Sequence, residues 1–111
     1  MIVIKIALDY DQTFTLDPDF WSVFKELAYN YGHEVRIVTA RAPEEDKIPV
    51  SEIGGTPVIY CDGIAKRFYC TWFADDRRGW VPDVWIDDRP QSVDNNSTAT
   101  REALEEWRET R

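Results

Sequence analysis

The sequence predicts one α/β domain in three layers, a parallel β-sheet with helices on both faces. Two observations predict it. Strand-like and helix-like segments alternate along the chain, the order that right-handed crossovers build into a parallel sheet. Three of the four strand-like segments also stop abruptly in polar residues, at the carboxyl ends where sheets of this kind gather ligands. With 111 residues, 43% apolar and 14% aromatic, there is enough chain for one buried core, so residues 1–111 are read as a single domain.

The elements follow in order. Residues 2–8, IVIKIAL, form a β-branched apolar run broken only by Lys5, the pattern of a central strand covered on both faces. From Asp17 or Pro18, DPDFWSVFKELAYNYG places Phe20, Val23, Phe24 and Leu27 at helical spacing, with proline and acids in the first turn and Gly32 as a stop. Those four residues are the predicted core face of a first helix. Val35 to Val38 give a second strand ending in Thr39, Ala40 and Arg41, and residues 42–56, with Pro43, Pro49 and Gly54-Gly55, a loop or short-helix connection.

TPVIYC supplies a third strand. Asp62 and Gly63 then turn the chain into a helix over Ile64 to Ala74, with Ile64, Phe68 and Trp72 on one face. Val84 to Ile86 read as a short buried strand that stops at Asp87 and Asp88, with Pro90 just beyond. The tail predicts a helix from Thr98 to Glu109, capped by Ser97 or Thr98 and packing Ala103, Leu104 and Trp107. His33 is expected to be an exposed helix-exit residue. The tryptophans are expected mostly in the core, with Trp72 and Trp80 the two close enough to the acidic ADDRRGW segment to face a ligand.

Composition narrows the functional classes. No stretch reaches the roughly 18 consecutive apolar residues of a membrane span, and the first residues lack the basic flank and cleavage site of a secretory signal. The expectation is a soluble cytoplasmic protein without a membrane partner. Cys61 and Cys70 lack metal-type spacing and are expected as reduced, partly buried thiols. A net charge of −8 repels long polyanions and suits the use of a divalent cation.

Acids at two strand ends carry the chemistry. Asp9 and Asp11 follow the first strand, Thr39 and Arg41 the second, Asp87 and Asp88 the fourth. Taken singly, such acids serve equally well as turn or N-cap residues. If the first and fourth strands are neighbours, however, four carboxylates converge, and their repulsion calls for a bound cation. Magnesium fits, because it takes one or two carboxylates and leaves positions for phosphate oxygens.

LDYDQT, Leu8 to Thr13, resembles the DxDx[TV] signature of haloacid dehalogenase-like (HAD) phosphatases. IVTAR, Lys66 and WIDD are similar to that superfamily's second, third and fourth motifs, in the same order. The resemblance implies a Rossmann-like fold with Asp9 as the nucleophile that forms an aspartyl-phosphate, and Asp11 as general acid and then base. Tyr10 would point away and Thr13 would buttress the loop. Thr39 and Lys66 would hold and neutralise the transferring phosphoryl group, with Arg41 as a further substrate contact and Lys66 preferred to Lys47. Magnesium would be held by Asp9, the backbone carbonyl of Asp11, Asp87 and Asp88, with Asp88 favoured as the direct ligand.

Neither gap between motifs is long enough for the folded cap usual in that superfamily. The resemblance therefore implies a minimal, capless member whose open site admits a bulky substrate or uses a partner subunit of an oligomer as its lid. IDDRP also resembles the 3'-phosphatase domain of phage polynucleotide kinases. This makes a nucleotide or nucleic-acid end a candidate beside small phosphorylated substrates, with Arg41, Arg67, Arg77, Arg78 and Arg89 as candidate phosphate contacts. The competing expectation is a protein of the same fold that binds a phosphorylated ligand or a partner protein with little or no turnover.

Overall fold

A computed structural model describes residues 2–110. Four strands, β1 (Lys5–Leu8), β2 (Glu34–Thr39), β3 (Val58–Tyr60) and β4 (Val84–Ile86), form one sheet in the order β3-β2-β1-β4, with every pairing parallel. The helices are α1 (Pro18–Asn30), α2 (Val50–Ile53), α3 (Lys66–Trp72), α4 (Ala74–Arg77) and α5 (Thr98–Thr110), with single 3-10 turns at Phe14–Leu16 and Pro90–Ser92. The chain is thus α/β with an all-parallel sheet. Leu8 pairs with Ile37 on one side and Ile86 on the other, so β1 and β4 are neighbours.

Side chains alternate along the central strands and divide the interior in two. Ile6, Leu8, Val35 and Ile37 pack with Phe14, Ala28, Ile48 and Ile53, whereas Ala7, Val38 and Ile59 pack with Cys61, Cys70, Ala74 and Trp80. Both cysteines are fully buried free thiols. No helix among the described residues is long and apolar enough to cross a membrane.

Several elements differ from the sequence reading. β1 begins only at Lys5, because Ile2 and Val3 extend past its partners and are exposed. His33 is half-buried rather than exposed: its Nδ1 accepts the Ile4 N–H at 3.0 Å. β4 is a half-buried edge strand with Val84 exposed, not a fully buried one.

α1 starts where expected, with Asp17 capping the Phe20 N–H at 3.2 Å and Pro18 in the first turn. Its buried face, however, is Lys25 and Ala28 with half-buried Trp21 and Phe24, leaving Phe20, Val23 and Leu27 exposed. Two apolar stripes share this helix, and only one can face the sheet. Lys25 accompanies the inner one by reaching the Ile53 carbonyl at 2.5 Å and the Thr56 hydroxyl.

The third helix is also shorter than its periodicity predicts. α3 opens at Lys66 and buries Lys66 and Cys70, with Ala74 buried just beyond it, while Trp72 turns outward onto Trp107 of α5, ring centroids 4.5 Å apart. Asp75, Asp76 and Arg77 then adopt left-handed backbone with φ of 55°, 55° and 68°, ending the run. The chain doubles back against α3, and at Gly79 any Cβ would be driven into the Thr71 carbonyl. That return buries Trp80 beneath the Arg36 guanidinium, 4.7 Å from the ring centroid, among core residues rather than toward a ligand. Ser97 settles the α5 cap, its hydroxyl accepting the Thr100 N–H at 3.2 Å.

Candidate active site

β1 ends where its side chains become useful. The Asp9 N–H donates to the Ile86 carbonyl at 2.9 Å, which sets Asp9 level with the residues that leave β4. Asp9, Asp87 and Asp88 each offer one oxygen, all within 4.8 Å of one another. Lys66, at the start of α3, points its amine into the group and donates to Asp9 Oδ1 at 2.8 Å and Asp87 Oδ2 at 2.5 Å. The Thr13 hydroxyl lies 3.1 Å from Asp9 Oδ2 and 3.4 Å from Asp88 Oδ1, so it bridges two oxygens that Lys66 does not reach. With one proton, it can fully satisfy one of them at a time.

The electrostatics follow from this packing. Burial pushes the Asp9 carboxyl up to about 6, against the lowering pull of Lys66 and with further upward push from Asp88 and Asp87. Burial alone pulls the Lys66 amine down, but hydrogen bonds and charge from Asp87 and Asp9 outweigh it and hold the amine above its ordinary value. Three carboxylates face one ammonium, a local excess of negative charge made wholly of oxygen donors. That donor set fits a hard divalent cation such as magnesium, with Asp9 Oδ2 and Asp88 Oδ1 among the oxygens that Lys66 does not use.

Asp11 stands apart from this group. Arg41 holds its carboxylate through two hydrogen bonds of 2.7 and 2.9 Å, and this pairing lowers its pKa. Arg41 also reaches Asp46 at 3.1 Å and lies over the Tyr10 ring, 4.9 Å from its centroid. Tyr10 points away from the acids, as the strand alternation implies, stacking on Phe14 and hydrogen-bonding Glu52. Thr39 is buried, and its hydroxyl oxygen accepts the Arg41 N–H at 3.2 Å, leaving its proton to donate.

A cavity of about 290 Å³ joins these pieces, lined by Asp9, Asp11, Gln12, Thr39, Ala40, Lys66, Asp87, Asp88, Arg89 and Ser92. A larger hollow of about 570 Å³ beside β3 contains none of the four acids. Lys47 is exposed, so of the two candidate lysines it is Lys66 that meets the acids. Of the candidate arginines, Arg89 lines the cavity and Arg41 grips Asp11, whereas Arg67 pairs with Asp94 and Arg77 with Glu106.

Sequence reading missed Ser92. Its hydroxyl lies 3.3 Å from Asp87 Oδ2 and donates to the Arg89 carbonyl at 2.8 Å, bracing the turn that carries both β4 acids. Pro90, which starts the 3-10 turn that ends in Ser92 just after those acids, was the available signal. No family profile, curated protein or solved structure matches this chain.

Proposed function

We propose that this chain is a magnesium-dependent phosphomonoester hydrolase of the haloacid dehalogenase type, a minimal capless Rossmann-like three-layer domain acting through an aspartyl-phosphate on Asp9. The observation that carries the reading is the meeting of Asp9 and Lys66 at 2.8 Å within one group of three carboxylates at the carboxyl ends of β1 and β4. A nucleophilic carboxylate beside a buried ammonium suits phosphoryl transfer, where catalysis is mostly positioning and charge neutralisation.

Asp9 attacks phosphorus, forming the O–P bond as the leaving oxygen departs. Lys66 and the Thr39 hydroxyl hold the oxygens of the transferring group. Asp9 and Asp88, with the Asp11 backbone carbonyl, would hold magnesium, and Asp87 would keep Lys66 in place. When bound, magnesium supplies charge that offsets the developing negative charge on phosphoryl oxygens. Asp11 protonates the leaving oxygen and then takes a proton from the water that hydrolyses the intermediate.

The Arg41 pair bears on that last role. While Arg41 grips Asp11, the carboxyl stays ionised and cannot give a proton. Turnover therefore needs Arg41 to let go of Asp11, which then takes a proton from solvent, and to grip an anionic group of the substrate instead, which favours substrates with a second negative group, such as a nucleotide carrying a second phosphate or a nucleic-acid end. The same grip is the observation that favours a second reading, a protein that holds a phosphorylated ligand or a partner protein and turns over slowly or never.

Magnesium-dependent phosphate release from nucleotides, 3'-phosphorylated oligonucleotides and sugar phosphates, measured beside Asp9→Asn, decides between them. Release by the native chain alone supports the hydrolase. Equal release by both proteins removes Asp9 as nucleophile, and tight binding of one compound without release selects the second reading.

A further inference from the structure

The side of α1 turned away from the sheet carries apolar residues that the core does not use. Phe20, Val23 and Leu27 are 55%, 65% and 56% exposed, and Leu16 and Tyr31 extend the same 3- and 4-residue spacing on either side. From Phe20 to Tyr31, the residue that caps α1, this spacing makes one continuous stripe along the helix rather than scattered surface residues, with exposed Leu16 in the turn just before it. Toward its carboxyl end the stripe borders a cavity of about 300 Å³ lined by Ile6, Phe24, Leu27, Ala28, Tyr31 and His33, a recess for a large apolar side chain. A stripe with this period, next to such a recess, is the surface that an amphipathic helix packs against.

Charge selects the occupant. Between Asp9 and His33 the only basic residue is Lys25, and it is buried with its amine turned toward Ile53 and Thr56. Within residues 16–31, the segment that carries the stripe, the exposed charges are Asp17, Asp19 and Glu26, all negative. A second copy would bring the same acids and its own net charge of −8 to the contact. An anionic lipid surface would meet them too, without the lysines and arginines that hold interfacial helices there.

We propose that this face of α1 docks an amphipathic helix of another protein, with an apolar seam and lysine or arginine flanks. The assignment is independent of the chemistry proposed at the β1 and β4 ends.

Two fluorescein-labelled helical peptides with the same leucine seam, one flanked by lysines and one by glutamates, test it by fluorescence anisotropy. The lysine-flanked peptide should bind at least about tenfold more tightly, and more weakly as salt rises from low to physiological strength. Val23→Glu should cost at least about tenfold in that affinity, while circular dichroism shows an unchanged fold, since Val23 is exposed. Asp19→Lys with Glu26→Lys should reverse the preference between the peptides. Equal affinity for both, failure of the lysine-flanked peptide to bind, or indifference to these substitutions overturns the proposal. So does self-association of the native chain that Val23→Glu abolishes, which would give the stripe to a second copy.

Discussion

Lys25 on α1 and Lys66 on α3 are both buried, yet their surroundings push them in opposite directions. Lys66 meets Asp9 and Asp87 and is held more firmly protonated than an ordinary lysine. Lys25 meets a backbone carbonyl and a hydroxyl, and burial lowers its affinity for a proton. Burying an amine therefore does not make a site. The partners decide: two carboxylates turn Lys66 into a fixed charge aimed at a cavity, whereas neutral oxygens make Lys25 a tether between α1 and the end of α2.

The largest separation between them should appear in catalysis. In the proposed hydrolase, Lys66→Met and Asp9→Asn should each lower magnesium-dependent phosphate release by about 10³-fold or more, while Lys25→Met stays within about twofold of the native chain. Comparable losses from the two lysine variants would erase the distinction.

Stability should separate them next. Lys66→Met leaves Asp9 and Asp87 facing each other without their cation and should cost about 3 kcal/mol in denaturant unfolding without metal, partly restored by magnesium. Lys25→Met should cost no more than about 1 kcal/mol, because the Thr56 hydroxyl already donates to the Ile53 carbonyl.

A smaller effect tests the charge excess around Lys66 directly. Because the native Asp9 carboxyl is raised from 3.8 to about 6, the folded chain binds the extra proton across that window, and its stability falls as pH rises through it. Asp9→Asn should stabilise the metal-free protein by about 1–2 kcal/mol above pH 6, an advantage that shrinks toward pH 4. A constant difference from pH 4 to 8 would contradict the raised carboxyl.

The smallest expected effect has opposite signs at the two lysines in alkali. The folded Lys25 loses its proton before the unfolded chain does, so the native protein should gain stability relative to Lys25→Met as pH approaches 10.5. The Lys66 contribution should be fully present below 10.5 and fade only as pH climbs through its raised folded value. Parallel pH curves for the native protein and Lys25→Met would remove the claim for Lys25.

Much of this site was legible because strand ends are marked by composition. The change from IVIKIAL to Asp9, and from Val84–Ile86 to Asp87 and Asp88, located two strand ends, and parallel alternation placed them on one rim. What the sequence could not tell was which of two competing faces turns inward. α1 carries Trp21, Phe24 and Ala28 as well as Phe20, Val23 and Leu27, and a one-dimensional pattern does not reveal that Lys25 is drawn inward to close α2. α3 failed for a related reason: its period continues through Trp72, but burial of Trp80 depends on a reversal at Gly79. The hold of Arg41 on Asp11 spans 30 positions and is a tertiary event that no local spacing announces.

β4 is three residues long, pairs with β1 alone, and still supplies both Asp87 and Asp88. At its other end, Asp83 clasps β1 by accepting the Lys5 N–H at 2.9 Å and donating its own N–H to the Lys5 carbonyl at 2.7 Å. A small edge element held by such clasps opens more readily than the strands inside the sheet. Opening of that edge would separate the acids at its end from Asp9 while the strands inside the sheet stay paired, and Asp83→Ala should raise amide hydrogen exchange in β4 before it does in β2.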